Sequence, residues 1–361
     1  MRILILAIRA PNQTPSQRFR FEQYLGALER RGAKLDFSWL MDDRDARVLY
    51  SPGNVARKAA LAMRSVAQRL AETVKFRRYD AVFVQRQAML VGGAVIERLA
   101  KASGAKLIYD FDDAIWINDA SSYNRRFSWL KNTAKVPRII EMADLVIAGN
   151  GYLADYARGF NSNVAVIPTT IDTDVYIPRA AGSRNGDAVC IGWSGSFSTI
   201  GHLKTALPVL RRLREKYGRR VRFRVIGDAG YRNEELEIVE VPWRAETEVQ
   251  DLYDLDIGLM PLPDDEWSRG KCGCKGLQYM ALSIPAVMSP VGANREIIQP
   301  GKNGFLPATE DEWVETLSSL IESPALRAEI GEAGRRRVEE SYSVNAWRDR
   351  FCDLVLSAGA R

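Results

Sequence analysis

Short runs of consecutive apolar residues alternate with stretches of helical periodicity along the whole chain. The expected strands are 3–8, 35–40, 81–84, 106–110, 145–148 and 164–168, then 189–193, 221–227, 236–241, 257–260 and 286–289. Most are apolar throughout rather than at every second position. That is the pattern of strands covered on both faces, in parallel sheets with crossover helices. The β-α alternation occurs twice, which predicts an α/β chain of two doubly wound, Rossmann-like domains. Between them, 178–187 has Gly, Arg, Asn and Ser in place of an apolar pattern and reads as a linker. The expected organisation is a first domain over 1–177, a second over 188–340, and a C-terminal helix over 341–361 that crosses back to the first.

Helix signals fill the gaps between strands. Ser16 is expected to cap a helix with Phe21, Leu25 and Leu28 on one face, stopped by Gly32. Asn54 is expected to cap a longer helix reaching about Phe76. Its Ala59, Met63, Val66, Leu70 and Val74 share one face and Arg57, Arg64 and Lys75 the opposite one. From 325 onward the pattern is helical, with Trp347, Phe351, Leu354 and Val355 together on the last helix.

Composition adds exclusions. The chain of 361 residues is 46% hydrophobic and 27% charged, values of a globular protein. No apolar run reaches the roughly 18 residues of a membrane span. The opening run is cut by Arg9 and reads as a first strand, so a cytoplasmic location is expected. Cys190, Cys272, Cys274 and Cys352 make no disulfide framework, and a single histidine, His202, argues against a Cys/His zinc site. Residues 1–178 hold 26 Lys/Arg and 18 Asp/Glu, a net +8; the whole chain is +6, so the remainder is −2. A basic half beside a near-neutral half suits an anionic partner: a membrane face, a phosphorylated acceptor or nucleic acid. No nucleic-acid-binding motif accompanies the charge.

Ligands of open α/β sheets gather at the carboxyl ends of strands, which selects four turns. After 189–193, Ser194-Gly195-Ser196-Phe197-Ser198-Thr199 opens a helix. It reads either as a phosphate-binding turn or as an ordinary tight turn with a Ser/Thr cap. After 257–260, Gly270 and Gly273 lead into a helix, with Lys271 and Lys275 four residues apart. On a helix that spacing puts both ammonium groups on one face, where they suit a departing diphosphate; a solvated lysine pair is the alternative. Asp110, Asp112 and Asp113 crowd the end of 106–110. Together they call for a cation, a polyol or shared protons, or else form a helix N-cap cluster. Arg18 and Arg20 offer forks for carboxylate or phosphate near the first strand's end, or are surface arginines. His202 reads as a capping or packing residue.

These segments together resemble the glycosyltransferase family 4 group, which has the GT-B fold of two Rossmann-like domains facing a central cleft. The strongest stretch is 270–306. There Leu277-Gln278-Tyr279-Met280-Ala281, Ile284-Pro285-Ala286-Val287, Ser289-Pro290-Val291-Gly292, Glu296-Ile297-Ile298 and Gly301-x-x-Gly304-Phe305-Leu306 follow the family pattern in order. Val166-Ile167-Pro168-Thr169-Thr170-Ile171-Asp172 resembles the segment before the linker, and Ile191-Gly192-Trp193-Ser194-Gly195-Ser196 the phosphate loop. The chain also departs from the pattern. Gly270 and Gln278 stand where the family has two glutamates, Ser196 where an arginine is common, and Asp112 about where many relatives have a histidine.

The resemblance implies a retaining transfer from a nucleoside-diphosphate sugar to an acceptor hydroxyl, as in bacterial polysaccharide or lipopolysaccharide synthesis. It implies donor contacts at Gly195, Ser196, Lys204, Arg244, Gly270 and Gln278, and catalytic roles for Lys271, Lys275, Asp112 and Asp113. Gly195 and Ser196 would act through their backbone N–H groups. Acceptor contacts are expected at Arg18, Arg20 and Asp110. The expected acceptor is a glycan or a lipid-linked glycan. No metal site and no tightly bound cofactor are expected. Arg57, Arg64 and Lys75 are expected to meet anionic headgroups at the inner face of a membrane. Two readings compete: a sugar-nucleotide epimerase or hydrolase of the same fold, and a catalytically inactive nucleotide-sugar-binding protein.

Overall fold

The computed structural model describes residues 1–51, 53–117, 132–179, 188–196, 199–227 and 230–359. The expected linker falls outside them from 180 onward. The chain forms two compact units, one of Met1–Thr169 with Trp347–Arg361, the other of Thr170–Ala346.

The first unit is built on six parallel strands: β1 (Arg2–Arg9), β2 (Lys34–Met41), β3 (Ala81–Gln85), β4 (Lys106–Phe111), β5 (Leu145–Ala148) and β6 (Val164–Val166). Their order is β2-β1-β3-β4-β5-β6. The continuous apolar runs are explained by burial, since β3 and β5 are buried at every position. Phe351, on the C-terminal helix Val344–Ala358, stacks on Tyr24 at 4.5 Å between ring centroids and lies against Phe83. Burying a side chain of that size contributes about 1.5–3 kcal/mol.

Two helices of this unit differ from expectation. The first is not one helix capped by Ser16. It is three pieces, Pro15–Arg18, a 3₁₀ turn Glu22–Tyr24 and Leu25–Arg30, and Thr14 occupies the first cap position. The second spans Val55–Thr73, with Asn54 in the left-handed region at φ 53° and no side-chain cap bond. Its apolar stripe faces solvent, and the face packed on the unit carries Leu61, Ser65 and Arg69. The reason is Arg69. Its guanidinium donates to Ala88 O (2.8 Å), Ser38 Oγ (2.6 Å), Glu72 Oε2 (2.6 Å) and Ala7 O (2.7 Å). A buried cation with that many acceptors fixes the rotation of the helix.

The second unit is built on five parallel strands: β7 (Val189–Ser194), β8 (Val221–Ile226), β9 (Val239–Val241), β10 (Ile257–Met260) and β11 (Ala286–Met288), in the order β11-β10-β7-β8-β9. Ile191, Phe223, Ile257 and Leu259 from the sheet pack with Leu210, Leu213, Leu317 and Leu320 from flanking helices. The periodic stretch from 325 onward is two helices, Pro324–Ser341 in this unit and Val344–Ala358, most of which belongs to the other.

Candidate functional site

Each sheet has one place where the connections leave in opposite directions. In the second unit it lies between β7 and β10, in the first between β1 and β3. Ligands of doubly wound sheets bind outside the carboxyl ends of strands at such a switch point. The turns concerned are those after β7 and β10, and those after β1 and β3.

In the second unit the turn after β7 begins at Gly195. A Cβ built there would stand 2.3 Å from the Trp193 indole and 2.9 Å from Lys275 Cε. The buried indole is what demands glycine here, and the Lys275 stem lies over the same turn. Lys275 Nζ then sits 5.5 Å from the Trp193 ring centroid, a cation–π distance, with the indole itself buried. Gly227, at φ 119°, approaches from the turn after β8; a Cβ there would come within 1.8 Å of Gly195 O. The helix Cys274–Ala281 carries Lys275 and, one turn on, Tyr279. The Tyr279 hydroxyl accepts from Ser194 N at 2.8 Å, so the helix is pinned to the end of β7. Burial pushes the Tyr279 phenol well up, and it stays protonated at neutral pH.

The sequence expectations are met unevenly here. Lys271 and Lys275 do not share a helical face, because the helix starts at Cys274 after Gly273 at φ 71°, and Lys271 belongs to the preceding loop. Lys271 Nζ lies over the Trp267 ring at 4.7 Å. The Gly195 N–H extends the ladder to Ile226 O at 2.8 Å, and the Ser196 N–H donates to Thr199 Oγ1 at 3.1 Å. The Gly195 amide is therefore committed to the sheet, whereas the Ser196 amide donates to a side-chain hydroxyl. Gly270 is buried at the end of the short helix Glu266–Arg269. Lys204 is exposed on the helix Ile200–Tyr217, Arg244 is exposed between β9 and the helix Glu248–Leu252, and His202 donates its backbone N–H to Thr199 O.

Gln278 is buried in a polar cluster that sequence reading did not find. Its Nε2 donates to the Tyr176 hydroxyl at 3.0 Å and to Glu248 Oε1 at 3.2 Å. Glu248 also accepts from Trp243 Nε1 (2.8 Å) and the Tyr176 hydroxyl (2.7 Å). Both hydrogens of its amide are directed at acceptors, and its Oε1 accepts from the Cys274 thiol at 4.0 Å, a weak donor that a hydroxyl can displace.

In the first unit, Arg20 and Asp110 are expected at the acceptor but are spent on each other. Both are fully buried, Arg20 Nη2 meets Asp110 Oδ1 at 2.5 Å, and Arg20 Nη1 donates to Ile167 O. Burial pushes the Asp110 carboxyl up and the Arg20 guanidinium pulls it back. Arg18 is partly exposed, its guanidinium 5.0 Å from the Phe19 ring. Asp112 and Asp113 are bridged by Arg86, whose Nε meets Asp112 Oδ1 at 2.7 Å and whose Nη2 meets Asp113 Oδ2. Two guanidinium groups thus pair with all three carboxylates. The helix-cap reading of the aspartates does not hold, because residues 112–117 form turns.

Sequence reading also missed Arg86. It stands in the left-handed region at φ 59°, its N–H donates to Asp110 O at 2.7 Å, and its carbonyl accepts from the Tyr109 hydroxyl. Its position directly after β3, at the switch point, was the available signal. Trp116, three residues after Asp113, lies face to face with Tyr156 at 3.6 Å. Among the described residues no group of three or more His, Cys, Asp and Glu could hold a metal ion.

Comparison with known proteins bears on both units. Residues 188–323 match the family model described as glycosyl transferases group 1. Among solved structures, sucrose-phosphate synthase from Thermosynechococcus elongatus is similar at a TM-score of 0.68 and 13% identity, over 99% of this chain and 98% of its own. HepE of Anabaena, solved with UDP and glucose, is similar at 0.69 and 15%, over 99% and 100%. The lipopolysaccharide outer core galactosyltransferase WaaB is similar at 0.62 and 14%, over 99% and 99%. No protein of curated function matches the chain. At these identities the likeness establishes the fold: the chain has the GT-B architecture.

Proposed function

We propose that the chain is a retaining glycosyltransferase that moves a sugar, a hexose by preference, from a nucleoside diphosphate to an acceptor hydroxyl. The observation that carries this reading is the packing of Lys275 over the Gly195 turn, at the β7/β10 switch point. The group 1 model covering 188–323 and the UDP in HepE support it.

The bond from the anomeric carbon to the diphosphate breaks as negative charge builds on the leaving phosphate; the acceptor oxygen forms the new bond on the same face, and its proton passes to that phosphate. Lys275 stands against that charge, and the Ser196 N–H turns from Thr199 to a phosphate oxygen. The positive end of the Cys274–Ala281 helix adds to both. Lys271, Lys204 and Arg244 supply outer cations to the donor, and Gly270 keeps the loop close. Gln278 Oε1 accepts from a ribose hydroxyl, the role a glutamate has in the family. In the first unit, Asp112 and Asp113, oriented by Arg86, accept from an acceptor hydroxyl. The face-to-face rings of Trp116 and Tyr156 offer an apolar platform for sugar C–H groups. Arg18 contributes a cation to the acceptor side. Arg20 and Asp110 hold β4 and the chain after β6 together and touch no substrate.

The acceptor is a glycan or a lipid-linked glycan of bacterial surface polysaccharide or lipopolysaccharide synthesis, met at the inner face of a membrane. The net +8 of residues 1–178 and the likeness to WaaB support that assignment. Incubation with UDP-sugars tests the reaction. Release of UDP is expected only with a glycan acceptor, and the product linkage is expected to keep the donor's anomeric configuration by NMR. Release without acceptor would favour a hydrolase or epimerase, and binding without turnover an inactive binding protein.

A further inference from the structure

The helix Val55–Thr73 is amphipathic in the opposite sense to a helix of a globular core. Val55 is 60% exposed, Met63 67%, Leu70 47%, and Val74, just past the helix end, 81%. Most of the alanines between them are exposed as well. The buried face holds Leu61 with a serine and an arginine, so the outward apolar stripe is not left over from core packing. It is a continuous surface on one helix, the kind of patch that marks an interaction site.

The charges around it identify the occupant. Arg57, Arg64 and Lys75 run along one flank, and Arg77 and Arg78 follow in the next turn, all exposed. Among these, Arg64 bridges Asp45 at 2.5 Å and contributes least to an external field. Between Asn54 and Lys75 the only acidic residue is Glu72, and it is turned inward onto Arg69. An apolar stripe edged by cations with no outward carboxylate matches an anionic lipid surface: acyl chains take the stripe and headgroup phosphates take the cations. A protein partner of ordinary surface would leave the cations on the flank without matching charge.

We infer that the outward face of the Val55–Thr73 helix inserts into an anionic lipid bilayer, seating the first unit on the membrane. This rests on the reading above that the acceptor lies at a membrane face. The cations expected from sequence on the face opposite the stripe instead lie exposed beside it, because Leu61, Ser65 and Arg69 take the packed face, and they become an accessory to the stripe.

The test is co-sedimentation of the full chain with vesicles of phosphatidylcholine, and of phosphatidylcholine mixed equally with phosphatidylglycerol. The parent is expected to bind the mixed vesicles well and the neutral ones weakly. Met63→Glu with Leu70→Glu changes exposed positions only and is expected to lower binding to mixed vesicles at least tenfold. Arg57→Glu with Lys75→Glu is expected to remove the preference for phosphatidylglycerol. Both variants should keep the parent's melting temperature and its response to UDP. Undiminished vesicle binding by the Met63→Glu, Leu70→Glu variant would overturn the inference. So would a parent that ignores vesicles and instead forms a dimer broken by the same substitutions. A parent that binds vesicles yet never responds to UDP would sink the transferase reading and leave this one standing.

Discussion

Gln278 donates to Glu248 at 3.2 Å, at the position where the resemblance leads one to expect a carboxylate. The carboxylate is present, but it sits on the Glu248–Leu252 helix and already accepts from Gln278, Tyr176 and Trp243. A buried pair of this kind tolerates one charge. Gln278→Glu, which restores the family residue, is therefore expected to destabilise the fold. The loss of the amide donors and the meeting of two carboxylates should cost about 1–3 kcal/mol. Urea denaturation at neutral pH measures it, and a variant as stable as the parent would show that Glu248 is not the partner described.

Arg20 and Asp110 make a second, sharper test of structural against substrate roles. Removing one partner of a buried ion pair strands the other, at a cost of about 3–5 kcal/mol, whereas replacing both with apolar groups is often neutral. Arg20→Met alone should lower the urea midpoint strongly, and Arg20→Met with Asp110→Leu should recover most of it. The double variant should also keep transferase activity. Loss of activity in a well-folded double variant would return the pair to the acceptor site.

Lys135 gives a pH dependence. It is buried, and its Nζ donates to Met89 O at 3.1 Å. Burial lowers its pKa, with Glu97 pulling it partly back. The unfolded chain holds this proton up to the ordinary value of about 10.4. Between the lowered folded pKa and that value the unfolded state binds more protons, so this group makes stability rise with pH. The parent is expected to gain stability relative to Lys135→Met as pH rises through that window. A difference between the two that stays flat would contradict the described burial.

Much of the architecture was legible because continuous apolar runs of the β1, β3 and β5 type have few other homes. The rotation of helices was less so. Periodicity put Met63, Leu70 and Val74 on one face, but the side that packs was decided by acceptors around Arg69 that come from β1, β2 and the chain after β3. The site was half legible. The rule of strand ends led to the turns that carry Gly195, Lys275 and the aspartates. It did not separate Lys271 from Lys275, since the left-handed Gly273 that delays the helix is a backbone choice. Arg86 and Glu248 escaped because each acts by reaching residues distant in sequence, 26 and 30 positions away.

Calorimetric titration of UDP and GDP into the parent, Lys275→Ala and Lys271→Ala tests the donor site most directly. The parent is expected to bind one of the two nucleotides. Lys275→Ala should lose about 1.5–3 kcal/mol, roughly ten- to a hundredfold in Kd, and Lys271→Ala distinctly less. Full affinity in Lys275→Ala, with Lys271→Ala the weaker binder, would contradict the placement of the diphosphate over Gly195.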